Sequence, residues 1–329
     1  HLAGVGRLEE NLISLLMYFH YTNNYIGFLN GAILIVMLSK DESRQKIIDH
    51  FHRNVLGKYP DQSELKLSHK GNLGHWLEVN LGGKIDADGN ADLDGYECKV
   101  ESKKISWGDW GAPYRIFCDR SYAIFDKRNA YENMWVLVRS LGIFRDDPIK
   151  GEFFSMSGDH VPTYINDETY IGLSLVEKDS DIFMKYSFSR DQRENKYEVT
   201  PDIFKKDDLL IFKWHGTNES FSEFKKDVLF NNLPIDVKFE GHNASVSLEE
   251  RIRRKFGIYG MVIGLKNKSK VFYGLKFLKQ ITLDDWIDFF KNRDVIYDTG
   301  LTTRNKRPYN QWRSSKKFMK TLEEEIYIP

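Results

Sequence analysis

Residues 69–104 read HKGNLGHWLEVNLGGKIDADGNADLDGYECKVESKK, and the acidic stretch inside them decides both fold and chemistry. In one reading Asp92, Glu97 and Lys99 form a single site. Side chains two apart on an extended strand point the same way, so Glu97 and Lys99 share a face while Cys98 turns into the core. Asp92 closes the preceding turn and converges on Glu97. Two carboxylates and a backbone carbonyl such as that of Cys98 make an oxygen-rich half-shell that suits Mg²⁺, which keeps several waters of its own. The lysine two residues on holds an attacking water and favours its deprotonated form, the Asp-x(n)-Glu-x-Lys arrangement of metal-dependent phosphodiester cleavage. Asp94 rivals Asp92; spacing favours Asp92, and Asp94 reads as a turn residue before Gly95. In a competing reading Asp86, Asp88, Asn90, Asp92, Asp94 and Glu97 take the ligand positions of a calcium loop. Ala91, where that loop needs glycine, and the strand-like alternation after Gly95 weigh against it.

The segment just upstream, Lys70-Gly71-Asn72-Leu73-Gly74-His75-Trp76-Leu77-Glu78-Val79-Asn80-Leu81-Gly82, resembles the Lys-Gly-x-x-Gly-x-x-x-Glu-x-x-Leu-Gly signature of MutH-like endonucleases. The distance from Glu78 to Asp92 fits that family too, and the short gap from Asp92 to Glu97 resembles MvaI/BcnI-type restriction endonucleases. The resemblance implies a restriction-endonuclease-like (PD-(D/E)XK) core. It implies a catalytic quartet of Glu78, Asp92, Glu97 and Lys99. Asp92, Glu97 and the Cys98 carbonyl would hold one or two Mg²⁺ ions, Lys99 the water, and Glu78, on a helix, would support the metal site or the lysine. Lys70 is expected to contact phosphate near the cleft. His69 and His75 read as packed or hydrogen-bonded rather than catalytic.

Outward from this segment the texture is mixed. Residues 7–57 read as helical, with apolar spacing through Leu12, Leu15, Leu16 and Phe19 and again through Ile47, Ile48, Phe51 and Val55. The most apolar run, residues 25–38, has 14 residues; a membrane span needs about 20, so a buried helix is expected. Strands are expected at 95–102, 134–139, 170–176, 182–188, 209–214, 260–266 and 271–278. A helix should start behind Thr282, with Asp284 and Asp285 favouring its dipole, and another over 314–325. Trp107-Gly-Asp-Trp-Gly-Ala-Pro-Tyr-Arg reads either as a loop against substrate or as one packed over the sheet.

Among 329 residues, 48 basic and 48 acidic side chains balance, which excludes a generally polybasic binder but not local segregation. Two cysteines exclude a disulfide framework and suit a reducing cytosol. The charge is segregated near the end: residues 299–322 carry Arg304, Lys306, Arg307, Arg313, Lys316, Lys317 and Lys320 and no acid. Asn310, Gln311 and Arg313 are side-chain types that read base edges, and the flanking cations suit phosphates. The plainer alternative is a solvated basic tail. A second cluster, Arg251, Arg253, Arg254 and Lys255, either meets phosphate or pairs with Glu249 and Glu250 on its own helix.

The expectation is therefore a mixed α/β protein: a helical extension over 1–62, a catalytic core with a central sheet flanked by helices over 63–200, and a DNA-recognition lobe over 201–329, the lobes forming a DNA cleft. The expected activity is a cytoplasmic, Mg²⁺-dependent type II restriction endonuclease acting on double-stranded DNA as a monomer or homodimer, with no membrane partner. A mismatch-repair nicking enzyme and a non-catalytic calcium- or DNA-binding module are the alternatives.

Overall fold

The computed structural model describes residues 25–29, 32–36, 38–60, 72–83, 90–125, 130–149, 151–239, 244–256, 258–304 and 309–329. Along the chain these form β1 (Tyr25–Leu29), β2 (Ala32–Val36), α1 (Lys40–Asn54), α2 (Asn72–Asn80), β3 (Tyr96–Val100), β4 (Lys104–Asp109) and β5 (Tyr114–Arg115). There follow α3 (Ala130–Leu141), β6 (Ile143–Asp147), β7 (Gly151–Ser157), β8 (Ile171–Lys178), β9 (Asp181–Asp191), β10 (Leu209–Trp214) and α4 (Asn218–Phe230). The last elements are α5 (Leu248–Phe256), β11 (Gly260–Lys266), β12 (Phe272–Leu278), α6 (Leu283–Lys291), β13 (Val295–Thr302), β14 (Asn310–Ser315) and β15 (Glu323–Tyr327). The mixed α/β expectation is met. Among the described residues no helix is long and apolar enough to cross a membrane.

The chain divides into two compact units, each assembled from distant segments. One comprises residues 1–101, 254–280 and 323–329, the other 102–253 and 281–322. They interleave along the sequence rather than following it in three consecutive blocks.

In the first unit the sheet runs β15-β12-β11-β3, with β3 parallel to β11 and the other pairs antiparallel. Its core joins Ile47 and Phe51 of α1, Val55 just past its end, and Trp76 and Leu77 of α2 to Cys98, Val262 and Phe272 of the sheet. Each fully buried apolar side chain of this size contributes about 1.5–3 kcal/mol. The expected spacing of α1 is thus real, and Ser39 and Glu42 close its start in a capping box, which satisfies otherwise orphaned N–H groups. Trp76 stacks on Phe272 at 5.7 Å between centroids, fixing α2 against the sheet.

Three sequence expectations are corrected here. Residues 25–29 and 32–36 pair as two antiparallel strands, Tyr25 opposite Val36, not as a buried helix. The run is rich in β-branched side chains, and Asn30-Gly31 at its middle is the strongest short hairpin signal. Residues 134–139 lie in α3, not in a strand; Met134, Leu137, Val138 and Leu141 are buried along it at helical spacing. Residues 314–325 divide among the end of β14, a one-turn helix Lys316–Met319, a short 3₁₀ turn and β15. The expected helical residues 7–24 lie outside the described residues. Thr282 does cap α6, reciprocally with Asp285.

The second unit holds two sheets, β5-β10-β9-β8 and β4-β14-β13-β7-β6. Its core is aromatic: Trp312 meets Trp286, Trp214 and Tyr297 with centroids 5.0–5.4 Å apart. Trp107 and Trp110 are buried, and the Trp107 indole donates to Ser314 at 2.7 Å; residues 107–109 are the end of β4 itself, so the tryptophan-glycine segment begins inside the sheet and is neither of the expected loops.

A buried polar cluster ties α4 to β9 and β10. Asp181 accepts from Ser220 Oγ at 2.8 Å and from the Gly216 N–H at 2.7 Å, and pairs with Lys213 at 2.8 Å. Ser220 Oγ lies 2.9 Å from His215 Nδ1; with its own proton given to Asp181, it accepts from an Nδ1–H tautomer. Burial first, and then the Lys213 charge, lower the His215 pKa to about 4. In the unfolded chain this imidazole takes a proton near 6.5, so the fold binds fewer protons between those values and loses stability as pH falls through that window. The loss from this group should be about 2 kcal/mol between pH 7 and pH 5. Urea unfolding of the wild type and His215→Gln at both pH values checks this: the variant should lose correspondingly less, and an equal loss in both proteins would refute it.

Candidate active site

The catalytic-type residues converge where β3 begins. Asp94 and Gly95 both have positive φ, 36° and 93°, the two-residue turn that Asp-Gly favours. Leu93 and Tyr96 exchange backbone hydrogen bonds across it, 2.9 and 2.6 Å. This fixes Asp92 at the head of a hairpin-like bend. Asp94 points elsewhere and pairs with Lys46 at 2.9 Å, whereas Asp92 lies within reach of the Glu97 charge.

Two backbone contacts aim Asp92. The Ala91 N–H donates to the Arg254 carbonyl at 2.9 Å, tying the bend to the end of α5. The Cys98 N–H donates to Asp92 Oδ2 at 2.9 Å. The Glu101 N–H meets the Gly264 carbonyl of β11, and backbone direction alternates along a strand. Odd residues of β3 therefore bond to β11, and Cys98 turns its N–H and carbonyl to the outer side, where Asp92 lies. Glu97 and Lys99 then share one face of β3, and Cys98 packs in the core on the other.

Glu97 is wholly buried, 0 % exposed. Its Oε1 pairs with Lys99 and, at 3.1 Å, with Lys255, while its Oε2 is buried without a hydrogen-bond partner. Burial alone would push Glu97 up; the two ammoniums outweigh it and hold the carboxyl below the usual range. Lys99 is the complement: burial pulls it down, but Glu97 and Asp92 hold it well above its ordinary value, so it is a charged donor. Asp92 is pushed up to about 7, first by burial and then by the Glu97 charge. Asp92 thus sits at the edge of ionisation at neutral pH, as expected of two carboxylates crowded in one place.

Such a pair fits a divalent cation. A buried Glu97 oxygen without a partner, a neighbouring carboxylate and the outward Cys98 carbonyl offer hard oxygen donors. Among the described residues no cluster of three or more His, Cys, Asp or Glu side chains is placed to hold a metal. Two protein carboxylates suit an ion that retains several waters, as Mg²⁺ does.

Glu78 sits on the buried side of α2, with His75 Nδ1 3.6 Å from its Oε2, and its charge acts on the Cys98 thiol. The charges that act most strongly on Lys99 are Glu97 and Asp92. Gly83 links Glu78 to the site: its N–H donates to the Glu78 carbonyl at 2.9 Å, and a Cβ there would lie 2.8 Å from the Asp92 carbonyl and 3.0 Å from that of Glu78. Lys70, His69, Asp86 and Asp88 fall outside the described residues, as do Lys306 and Arg307.

Lys255 is the residue that sequence reasoning missed. Its cluster was divided between phosphate contact and intrahelical pairing, and Arg253 does pair with Glu250 at 2.7 Å. Lys255 has Arg251 and Ile252 four and three positions back, so no acid on its own helix comes within reach. That spacing was the available signal.

Four other predicted residues lie in the second unit. On β14, Gln311 and Arg313 share one face; Arg313 Nε pairs with Asp298 at 2.8 Å and its Nη2 donates to Gln311 at 2.5 Å. Asn310 turns to the opposite face, where its side-chain oxygen accepts from Tyr297 and Thr299. Arg304 lies with its guanidinium carbon 5.7 Å from the centre of the Phe153 ring.

The LlaMI restriction endonuclease family matches residues 58–326, most of the chain. The chain belongs to that family. This LlaMI-family endonuclease is 30 % identical over 284 residues to the type II restriction enzyme ScrFI of Lactococcus lactis subsp. cremoris, covering 85 % of this chain and 97 % of that one. It is also similar to restriction endonuclease MvaI in complex with cognate DNA, with TM-score 0.48 and 9 % identity, over 88 % of this chain and 99 % of that one. For MvaI without DNA the values are 0.36 and 10 %, over 89 % and 100 %. Membership bears out the expectation of a DNA-cleaving restriction enzyme and sets aside the nicking and non-catalytic alternatives.

Gly83→Ala should displace Asp92 and slow cleavage by this LlaMI-family endonuclease roughly 10–100-fold, as small misplacements of a reacting group do, while DNA binding persists. Single-turnover plasmid cleavage checks it; a wild-type rate would contradict the close approach described.

Proposed function

We propose that the chain is a type II restriction endonuclease that hydrolyses phosphodiester bonds of double-stranded DNA at a short recognition sequence in the cytoplasm. Asp92, Glu97 and the Cys98 carbonyl would hold Mg²⁺. The observation that carries this reading is the fully buried Glu97, kept ionised by two ammoniums with one oxygen left over, beside an Asp92 poised near neutrality.

A divalent cation bound there would supply positive charge against that developing on the phosphoryl oxygens and make water beside it more acidic. Lys99, charged at neutral pH, donates to the attacking water and favours its deprotonated form. The water gives a proton to solvent and its oxygen bonds to phosphorus in line with the P–O3′ bond, which breaks; the 3′-oxygen takes a proton from solvent, leaving a 3′-hydroxyl and a 5′-phosphate. Lys255 is a positioning residue: its ammonium keeps Glu97 ionised inside an otherwise costly environment. Glu78 supports the bend through α2 and Gly83.

Unmethylated phage DNA incubated with Mg²⁺, followed by end-sequencing of the fragments, tests the activity. Wild type should give discrete fragments with 5′-phosphates at one motif. Lys99→Ala and Asp92→Asn should each lose at least about 10³-fold in cleavage rate, a loss on the scale of removing charge stabilisation at a reacting centre. Both variants should still bind the duplex. Cleavage by either at near wild-type rate would refute the assignment.

A further inference from the structure

In the second unit the sheet β4-β14-β13-β7-β6 has two unlike faces. Cross-strand partners share a face, so the register assigns each side chain. Trp312, Tyr297 and Met156 line the buried side. On the other side Arg313 lies beside Ser106, Gln311 opposite Asp298, Thr302 opposite Ser155, and Arg145 opposite Phe153. Gly300 belongs to this face, and the Tyr309 ring fills the place its Cβ would take. At the β6–β7–β13 end the face sinks into a cavity of about 760 Å³ that Arg145, Phe153, Ser155, Ser157, Thr302 and Arg304 help to line. Ser155, itself buried, has its Oγ 2.6 Å from that of Ser157.

Both signs of charge occur on this face. Asp298 pairs with Arg313, and Asp147, on the same side of β6 as Arg145, lines the cavity with Arg145 and Arg304. A surface built only for phosphate would exclude the acids. Base edges in the major groove present donors and acceptors side by side: guanidinium suits guanine, a carboxamide adenine, and a carboxylate accepts from cytosine. From β14 to β6 is three interstrand spacings, about 14 Å, the length of about four base pairs at 3.4 Å each.

We propose that this face reads the base sequence of the DNA, with Arg145 and the cavity around Ser155 and Ser157 extending the Gln311–Arg313 pair into one recognition surface. The assignment rests on the restriction-endonuclease reading. Asp298 and Gln311 take two edges of the Arg313 guanidinium and orient its remaining donors. Arg145 holds the far end of the surface, and its planar fork is matched to paired acceptors in a way that a lysine is not.

The test is end-sequencing of fragments from unmethylated phage DNA cut by the wild type, Arg145→Ala and Arg145→Lys. It is combined with duplex binding at several salt concentrations, using the site that the wild type defines. Thermal unfolding confirms that each variant is folded. Both variants should relax the motif at particular base positions, with discrimination there falling about 10–100-fold, and Arg145→Lys should leave the salt dependence of binding unchanged. An unaltered motif in both overturns the proposal. So does a uniform loss of affinity in Arg145→Ala with a shallower salt dependence, which marks a phosphate contact. Failure of the wild type to cut any motif would count against the functional reading itself, a separate outcome from failure of this assignment.

Discussion

The first unit is organised around a carboxylate that has no access to water. Taking an ionised Glu97 out of solvent costs several kcal/mol unless partners replace its hydration. One ammonium comes from its own strand two residues on. The other comes from Lys255 on α5, more than 150 residues later in the chain. Because β11 follows α5 directly and runs parallel to β3, the strand pairing that builds the sheet also delivers Lys255 to Glu97. The tie between Ala91 and the Arg254 carbonyl sets Asp92 from the same helix end. Fold and site are thus one arrangement: α1 and α2 bury the Cys98 face of β3, and that burial commits Glu97 and Lys99 to the other.

The period-2 logic of a strand was enough to place Glu97 and Lys99 together and to send Cys98 inward, and the Asp-Gly turn was enough to separate Asp92 from Asp94. These are local rules, and they were legible from a few residues. Lys255 was not, because nothing local says where the end of α5 will dock; only the missing acid on its helix hinted that its partner lay elsewhere. The same limit explains the secondary-structure corrections. Residues 25–36 are apolar enough for a buried helix or a strand pair, and length alone favoured the helix although Asn30-Gly31 is a turn signal in the sequence. In α3 the apolar run 134–138 looks like a strand until its burial is followed to Leu141.

The C-terminal basic segment teaches a related point. Its charge was visible in composition, but its geometry was not. Once residues 310–315 form a strand, Asn310 and Gln311 must face opposite ways, so two residues of similar recognition chemistry take different surroundings. Register across β13 and β7 then brings Arg145 and Ser155, distant in sequence, onto the face of Gln311 and Arg313. No linear pattern contains that juxtaposition.

The central claim is that Asp92 and Glu97 hold a divalent cation at the head of β3. Anomalous diffraction from crystals of the intact protein soaked in Mn²⁺ tests it most directly. The account predicts a peak within coordination distance of both carboxylates and of the Cys98 carbonyl. A Mn²⁺ ion bound elsewhere, with Asp92 and Glu97 contacting only protein, would contradict it.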